Sequence, residues 1–314
     1  MKAKHISRRQ FTLLAGASVL GAGMGFANGS AGSSGGHNLT DPAATKANDE
    51  ASAPITAQQV IDRIKQNVGV TWRTTTVDTF KAGNPDTAVK GIATSFMATL
   101  AVLQRAAAQQ LNLVITHEPT FYNHLDQTND LTNDPVYQFK QDFIRKNDMV
   151  VWRFHDHWHA RKPDAMLVSL AQLLGWKPDE HNPAEGFYTL PATTLGAMAK
   201  DIERRLNIRT MRVLGDPKLK VERLAVSPGY TGLETVMETL PKADVFICGE
   251  LREWEGVEYT QDAIAAGQRK GMIVLGHDAS EDPGMTLCAP WLKTFIPEVP
   301  VKWIPAGEPF WKPS

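Results

Sequence analysis

Asn112-Leu113-Val114-Ile115-Thr116-His117-Glu118-Pro119 is the stretch that decides the fold. Leu113 to Thr116 are apolar or β-branched, a run too short for a helix, and read as a buried strand. The run ends directly on an imidazole and a carboxylate, and Pro119 restricts Glu118 to an extended backbone. Immediately upstream, residues 98–111 are strong helix formers, and residues 91–96 read as another strand. Strand, helix, strand in that order is the unit from which parallel sheets are built.

The pattern recurs downstream. Residues 149–154 form an apolar strand that runs into His155, and residues 272–275 form another that runs into Gly276-His277. Loops at strand ends carry no ladder hydrogen bonds, so α/β proteins place ligands and reacting groups there. Helices are expected at 56–64, capped by Thr56, at 135–146, and at 165–174, where Gly175 supplies the C-cap. Val60, Ile61 and Ile64 share one face of the first. A second group follows, with strands at 188–190, 211–214, 223–226 and 243–248 and helices at 195–206 and 260–269. Thr194 caps the first of these helices, and Pro217 marks a turn. The whole is an α/β fold with mixed sheets in two lobes, 55–185 and 186–284, with the boundary near 183–187. Residues 285–314 are expected to return to the first lobe, and no internal repeat is evident.

Composition is that of a globular chain, 42% hydrophobic and 21% charged. The formal net charge is -1, but the first 31 residues hold Lys2, Lys4, Arg8 and Arg9 and no acid, so the remainder is the more acidic part. Nothing in that balance draws the chain to nucleic acid or to an anionic membrane. Ser7-Arg8-Arg9-Gln10-Phe11-Thr12-Leu13-Leu14 precedes a Gly/Ala-rich, moderately apolar run, with small residues offering cleavage after Ala27 or Ala31. This resembles a twin-arginine signal peptide over 1–31. It implies handling by the twin-arginine export machinery, a periplasmic or other extracytoplasmic location, and no membrane attachment after cleavage. Residues 32–54, rich in Gly, Ser, Ala, Asn and Asp, read as a flexible linker. Cys248 and Cys288 stand in no Cys-x-x-Cys pattern and read as small buried residues.

Phe154-His155-Asp156-His157-Trp158-His159 is the densest cluster of chemistry. On a strand all three histidines share a face; on a helix His155 and His159 still do. That pair converges under either geometry, and His157 under only one. Gly276-His277-Asp278-Ala279-Ser280-Glu281 sets a carboxylate four residues after a strand-end histidine. Ser280 or Asp278 is placed to cap a short helix that presents Glu281. Imidazole plus carboxylate suits zinc, manganese, iron, cobalt or nickel, and the lack of cysteine ligands disfavours a structural thiolate zinc. Asp156 and His157 are candidates to orient the ligands, while His124 and His181 read as incidental loop residues.

Taken in order, these motifs make the chain similar to the NIF-three-like dinuclear metal-centre family, whose members are often described as homologues of a type 2 GTP cyclohydrolase I. The resemblance runs from about Ile55 to Glu308 and includes Val89-Lys90-Gly91-Ile92. His117-Glu118-Pro119 stands where the family usually has His-His-Pro, and His155 to His159 matches its His-Thr-Asn-x-Asp. Asp244-Val245-Phe246-Ile247-Cys248-Gly249-Glu250 matches its Asp-x-x-x-Thr-Gly-Glu, and Gly276 to Glu281 its Gly-His-x-x-x-Glu. Glu118 thus replaces a histidine and His159 an aspartate, exchanges opposite in sign. The implied ligand set, His117, Glu118, His155, His159, His277 and Glu281, keeps four histidines and two carboxylates. The family's aspartate can bridge both metals and a histidine at 159 ordinarily cannot, so Glu118 is the candidate for the bridging role.

The resemblance implies a two-lobed NIF-three-like fold, a site for two divalent metal ions between the lobes, and a homo-oligomer, with relatives forming toroidal hexamers. It puts Glu250 near the site, where Glu250 or His157 would move protons. The functional reading is metal-dependent hydrolysis of a small-molecule substrate. An exported protein does not meet cytosolic GTP, which favours a phosphoester, amide or other extracytoplasmic substrate. The alternative is a non-catalytic metal-binding or scaffold protein that forms an oligomeric ring.

Overall fold

The computed structural model describes residues 54–181 and 185–313. The expected signal peptide, the linker up to residue 53, and residues 182–184 at the expected lobe boundary lie outside the described residues.

The strands in chain order are β1 (Phe80–Ala82), β2 (Ile92–Met97), β3 (Leu113–Glu118), β4 (Val150–Arg153), β5 (Lys177–Pro178) and β6 (Phe187–Thr194). Then come β7 (Arg212–Leu214), β8 (Lys220–Tyr230), β9 (Val245–Glu250), β10 (Gly271–Val274) and β11 (Val301–Trp303). The helices are α1 (Ala57–Asn67), α2 (Leu100–Ala107), α3 (Pro135–Lys146), α4 (Asp156–Ala160) and α5 (Ala165–Leu174), followed by α6 (Leu195–Leu206), α7 (Leu233–Thr239), α8 (Glu258–Ala265) and α9 (His277–Lys293).

Two mixed sheets result, as an α/β reading requires. The first has the order β1-β4-β3-β2-β11 and the second β5-β6-β8-β9-β10-β7. In the first, β4, β3, β2 and β11 run parallel and β1 closes one edge antiparallel. In the second, β8, β9 and β10 are parallel, with antiparallel strands to either side.

Burial on both faces explains why β3 reads as a continuous apolar run. Leu113 and Ile115 join the core under α1 and α9, whereas Val114 joins the core on the opposite face with Val102, Leu103 and Ile144. Period-two alternation therefore feeds two helix layers from one strand. The second sheet is covered in the same way. Leu170 and Ile202 pack with Leu224 and Ile247 on one face, while Val236 and Leu251 pack with Phe246 and Met272 on the other.

Helix starts follow the capping residues. Thr56 forms a full capping box with Gln59, and Asp134, Asp164 and Thr194 each accept a hydrogen bond from the first turn of α3, α5 and α6. Gly175 closes α5 in the left-handed conformation, φ 73°.

Three local expectations need correction. Glu118 is the last residue of β3 and does not follow the strand, because it pairs with Met97 at the end of the parallel ladder. The helix that presents Glu281 is long, since α9 runs 17 residues through Pro283 and Pro290. An interior proline costs about 3 kcal/mol, and burial of Met285, Cys288, Ala289 and Leu292 along α9 offsets it. Its N-cap is Gly276 without a side-chain hydrogen bond, so neither Ser280 nor Asp278 caps it. The Ser280 hydroxyl instead donates to His277 O and accepts from Gly229 N.

Two short strands, β1 and β11, had no sequence signal. β11 pairs with β2, and α9 packs on β2 and β11 of the first sheet and on β8 and β9 of the second. That helix is the element that fixes the two sheets around one site.

Candidate metal centre

Three elements converge. β3 delivers His117 and Glu118, the turn from β4 into α4 delivers His155 and His159, and the first turn of α9 delivers His277 and Glu281. The cluster His155 to His159 adopts the helical one of its two possible geometries, with His159 N–H donating to His155 O at 3.0 Å. One turn separates the two rings, so they share a face. Asp78 holds this short helix in place from outside. Its carboxylate accepts from the backbone N–H groups of His155, Asp156 and His157 at 2.7–2.9 Å.

His117 stacks on His155, and His159 meets both rings edge to face. His117 Nε2 lies 3.1 Å from His159 Nε2 and 3.5 Å from Glu281 Oε2. His277 Nε2 lies 3.0 Å from the same Glu281 oxygen. Glu118 Oε1 sits between His155 Nε2 at 3.4 Å and His277 Nε2 at 3.6 Å. The ligand atoms of His117, His155 and His159 fall within 4.8 Å of one another, as do those of His117, Glu118 and Glu281.

Each ring is oriented by its other nitrogen. His117 Nδ1 faces the carbonyl of Phe154 at 3.1 Å, His155 faces Asp156 at 2.9 Å, His159 faces Asp164 at 2.9 Å, and His277 faces Glu250 at 3.1 Å. Carbonyl and carboxylate oxygens only accept, so every Nδ1 must carry the proton. A neutral ring then presents a bare lone pair at Nε2. Two such lone pairs 3.1 Å apart, at His117 and His159, repel unless a cation or a proton stands between them. Burial first, and the neighbouring His159 and His155 second, hold the His117 pKa well below the ordinary 6.5. At His159 burial also opposes the proton, but Asp164, Glu281 and Glu118 outweigh it and raise its pKa, so His159 is the ring that carries a proton here when no cation does. Histidines pinned at one nitrogen and open at the other are the arrangement that metal ligation uses. The donor set therefore fits a divalent transition metal, and these groups could hold one.

Charge tells the same story on the other side. Burial disfavours the charged form of His277, yet its hydrogen bonds to Glu118, Glu250 and Glu281 outweigh that and push its pKa up to about 12. Three carboxylates around one imidazole make an excess of negative charge that positive charge must balance. Glu118 is buried and stays a carboxylate: burial pushes its pKa up, but His277, His155 and Arg153 hold it down.

Other expected residues stand apart from this set. His157 is not brought to the cluster. Its Nδ1 donates to Asp78 at 2.6 Å, its Nε2 accepts from Arg73 N–H at 2.9 Å, and its buried ring stacks on Trp72 at 3.6 Å. Both nitrogens are spent, so it has no proton to move. Glu250 sits beside the cluster on His277, with its side chain 52% exposed. His124, unremarkable in sequence, lines the same cavity as Glu118 and His277, with its ring 6.0 Å from that of His155.

Sequence reasoning missed three supports. Asp164, which caps α5 and accepts from His159 Nδ1, was not singled out. Asp78 carried no signal. Nor did Arg153, which is fully buried and donates to His117 O at 3.0 Å and to Glu118 Oε2 at 3.2 Å. Gly229 has a positional reason. Any Cβ there would overlap Glu281 Oε1 and crowd His277 Nε2, and its φ is 70°. Cys248 and Cys288 are free and buried.

A cavity of about 1100 Å³ opens directly onto Glu118, Glu250 and His277. Apolar side chains from β2, the loop after β3 and α3 form most of its wall.

The sequence matches the model of the family described as Duf34/NIF3 (NGG1p interacting factor 3) over residues 50–307. No curated protein matches it. Among solved structures, Staphylococcus aureus protein SA1388 aligns at TM-score 0.66 and 18% identity, covering 83% of this chain and 100% of that one. The Bacillus cereus protein related to NIF3 aligns at TM-score 0.67 and 15% identity, again over 83% and 100%. Reduced HcgD from Methanocaldococcus jannaschii aligns at TM-score 0.55 and 16% identity, over 79% and 97%. At these identities the likeness is one of fold.

Proposed function

The chain belongs to the Duf34/NIF3 family, and from that premise we propose that it is an exported hydrolase that works with two divalent metal ions. The observation that carries the reading is the approach of the His117 and His159 Nε2 atoms to 3.1 Å with both Nδ1 positions committed as donors, a point that one shared cation or proton must occupy. Six donors surround this point. His117, His155 and His159 form one ligand group and His117, Glu118 and Glu281 another, with His277 against both carboxylates. Glu118 would be the residue to serve both ions, a role supported by its Oε1 lying between His155 and His277.

Bound divalent ions polarise a carbonyl or phosphoryl oxygen and lower the pKa of water. The residues do the rest. Arg153 fixes the second oxygen of Glu118, leaving Oε1 for the cluster. Glu250 takes the proton from attacking water. It is exposed on the cavity, and its hydrogen bond from His277 keeps its pKa below the ordinary carboxylate value, so it is ionised at neutral pH. The open cavity beside the cage favours turnover over a closed storage site. Export rests on the Ser7-Arg8-Arg9-Gln10-Phe11 motif and the run after it.

Elemental analysis of protein purified from its native compartment tests the metal reading, and two ions per chain are expected. Reconstitution with zinc, manganese or iron, followed by phosphoester and amide screens, tests turnover. An Arg8→Lys, Arg9→Lys chain retained in the cytoplasm is the expected outcome for export. Stoichiometric metal with no hydrolysis under any ion would leave metal binding standing and sink the hydrolase.

A further inference from the structure

The cavity beside the metal cluster contains a second polar feature that the hydrolase reading does not use. Lys140, on α3, is only 4% exposed, yet its ammonium lines the cavity wall. It donates to Thr120 O at 2.6 Å and lies over the rings of Phe121 and Tyr122, 5.5 Å from each centroid. An ammonium carries three N–H donors, and this one shows a single acceptor among the described residues. No carboxylate pairs with it among those residues either. Asp126, the acid that acts on it, forms ion pairs with Lys81 at 3.3 Å and Arg153 at 3.9 Å instead. Burial pushes the Lys140 pKa down to about 8 against the pull of Asp126, so it is still mostly protonated at neutral pH. Beside it, Thr120 is 1% exposed, lines the same cavity, and has a buried hydroxyl without a hydrogen-bond partner among the described residues.

A buried cation and a buried hydroxyl with spare bonding capacity are costly unless a ligand completes them. Leu100, Tyr122, Val136 and Phe139 give the same cavity an apolar wall, and Glu118, Glu250 and His277 of the cluster line it too. Tyr122, Val136 and Phe139 are each more than half exposed, which leaves apolar surface waiting for cover. One cavity thus joins an anion-accepting pair, an apolar wall and the cluster.

We propose that this cavity binds a small molecule with an apolar or aromatic body and one acidic group. The acid meets Lys140 and Thr120, and the rest of the molecule extends toward Glu118, Glu250 and His277. This deepens the hydrolase reading by naming the substrate class, an acid-bearing aryl or alkyl compound whose scissile bond lies at the far end from its acid.

Biphenyl-4-carboxylate and its neutral counterpart biphenyl-4-methanol provide the test, titrated calorimetrically into the full chain with and without added zinc. The acid is expected to bind about tenfold or more tighter than the alcohol, the scale of a charge-assisted hydrogen bond in a buried site. Lys140→Met removes that preference, and Lys140→Arg restores part of it. The metal content of both variants equals that of the parent. His117→Ala loses metal but keeps the preference for the acid, so failure of the metal reading and failure of this one are separable. Equal binding of acid and alcohol by the parent would overturn the proposal. So would a preference that survives Lys140→Met and vanishes on chelation, because the acid would then sit on metal. A face covered by a second copy, seen as an oligomer that Phe139→Ser dissociates and that excludes both probes, overturns it as well.

Discussion

Two histidine sites lie within one short turn of this protein, and they differ in one atom's surroundings. At His157 the ring stacks on Trp72, Nδ1 donates to Asp78 and Nε2 accepts a backbone N–H from Arg73. At His159, two residues on, Nδ1 likewise donates to a carboxylate, that of Asp164, but Nε2 faces another bare imidazole nitrogen. Both rings are pinned by an acid, and both come from the same five-residue helix. The first is complete as it stands and serves stability; the second leaves Nε2 without a backbone donor, open to share a cation or a proton with His117. What distinguishes a structural histidine from a ligand is therefore whether Nε2 already has a donor.

Four substitutions or conditions would break or sharpen that contrast. The largest effect is expected for His117→Ala, which removes the ring shared by both ligand groups. Metal content by elemental analysis should fall to background, and retention of full occupancy would remove His117 from the ligand set. His157→Ala should do the reverse. Stability drops by about 3 kcal/mol, since the buried Asp78 carboxylate keeps only its backbone donors and the lost ring leaves a void against Trp72, while metal content is unchanged. Chemical denaturation and metal analysis on the same sample read both quantities.

Asp164→Asn is gentler, because the amide still caps α5 and only the partner of His159 Nδ1 weakens. Metal affinity should fall about 10- to 100-fold with the fold intact; competition with a chromophoric chelator measures it. The smallest effect is the pH dependence of the chelated chain, where two histidines pull in opposite directions. His117 has a folded pKa below 6.5, so the unfolded chain takes up the extra proton and stability falls as pH drops below 6.5. For His277 the folded value lies above 6.5, so its contribution is full below 6.5 and is lost as pH rises toward about 12. The chelated chain is therefore expected to be most stable near pH 6.5, losing stability in acid through His117 and in base through His277. The metal-bound chain should lose stability steeply with acid, because every Nε2 must stay unprotonated. Identical profiles with and without chelator would argue against ligation.

The same contrast marks how far the residues alone could be read. Strand ends at His117, His155 and His277 followed from apolar runs, because a parallel strand buried on both faces leaves a continuous hydrophobic signature. Caps at Thr56, Thr194 and Gly175 followed from local hydrogen-bond chemistry. β1 and β11 were invisible, since three-residue edge strands depend on the neighbour they pair with. The length of α9 was misread for a related reason. Its prolines say stop, and only burial against both sheets overrides them.

For the cluster, the sequence by itself picked out imidazoles and carboxylates that could hold a metal and put His155 and His159 on one face. That conclusion needs only the periodicity of the backbone. Tertiary structure alone decided that His157 turns to Asp78 and Arg73, that Asp164 and Arg153 orient the ligands, and that Glu118 lies between two imidazoles. These contacts join residues far apart in the chain, Arg73 with His157 and Glu118 with His277. Whether a nitrogen finds a donor or stays open is settled by what the folded chain brings against it, a relation that no local pattern encodes.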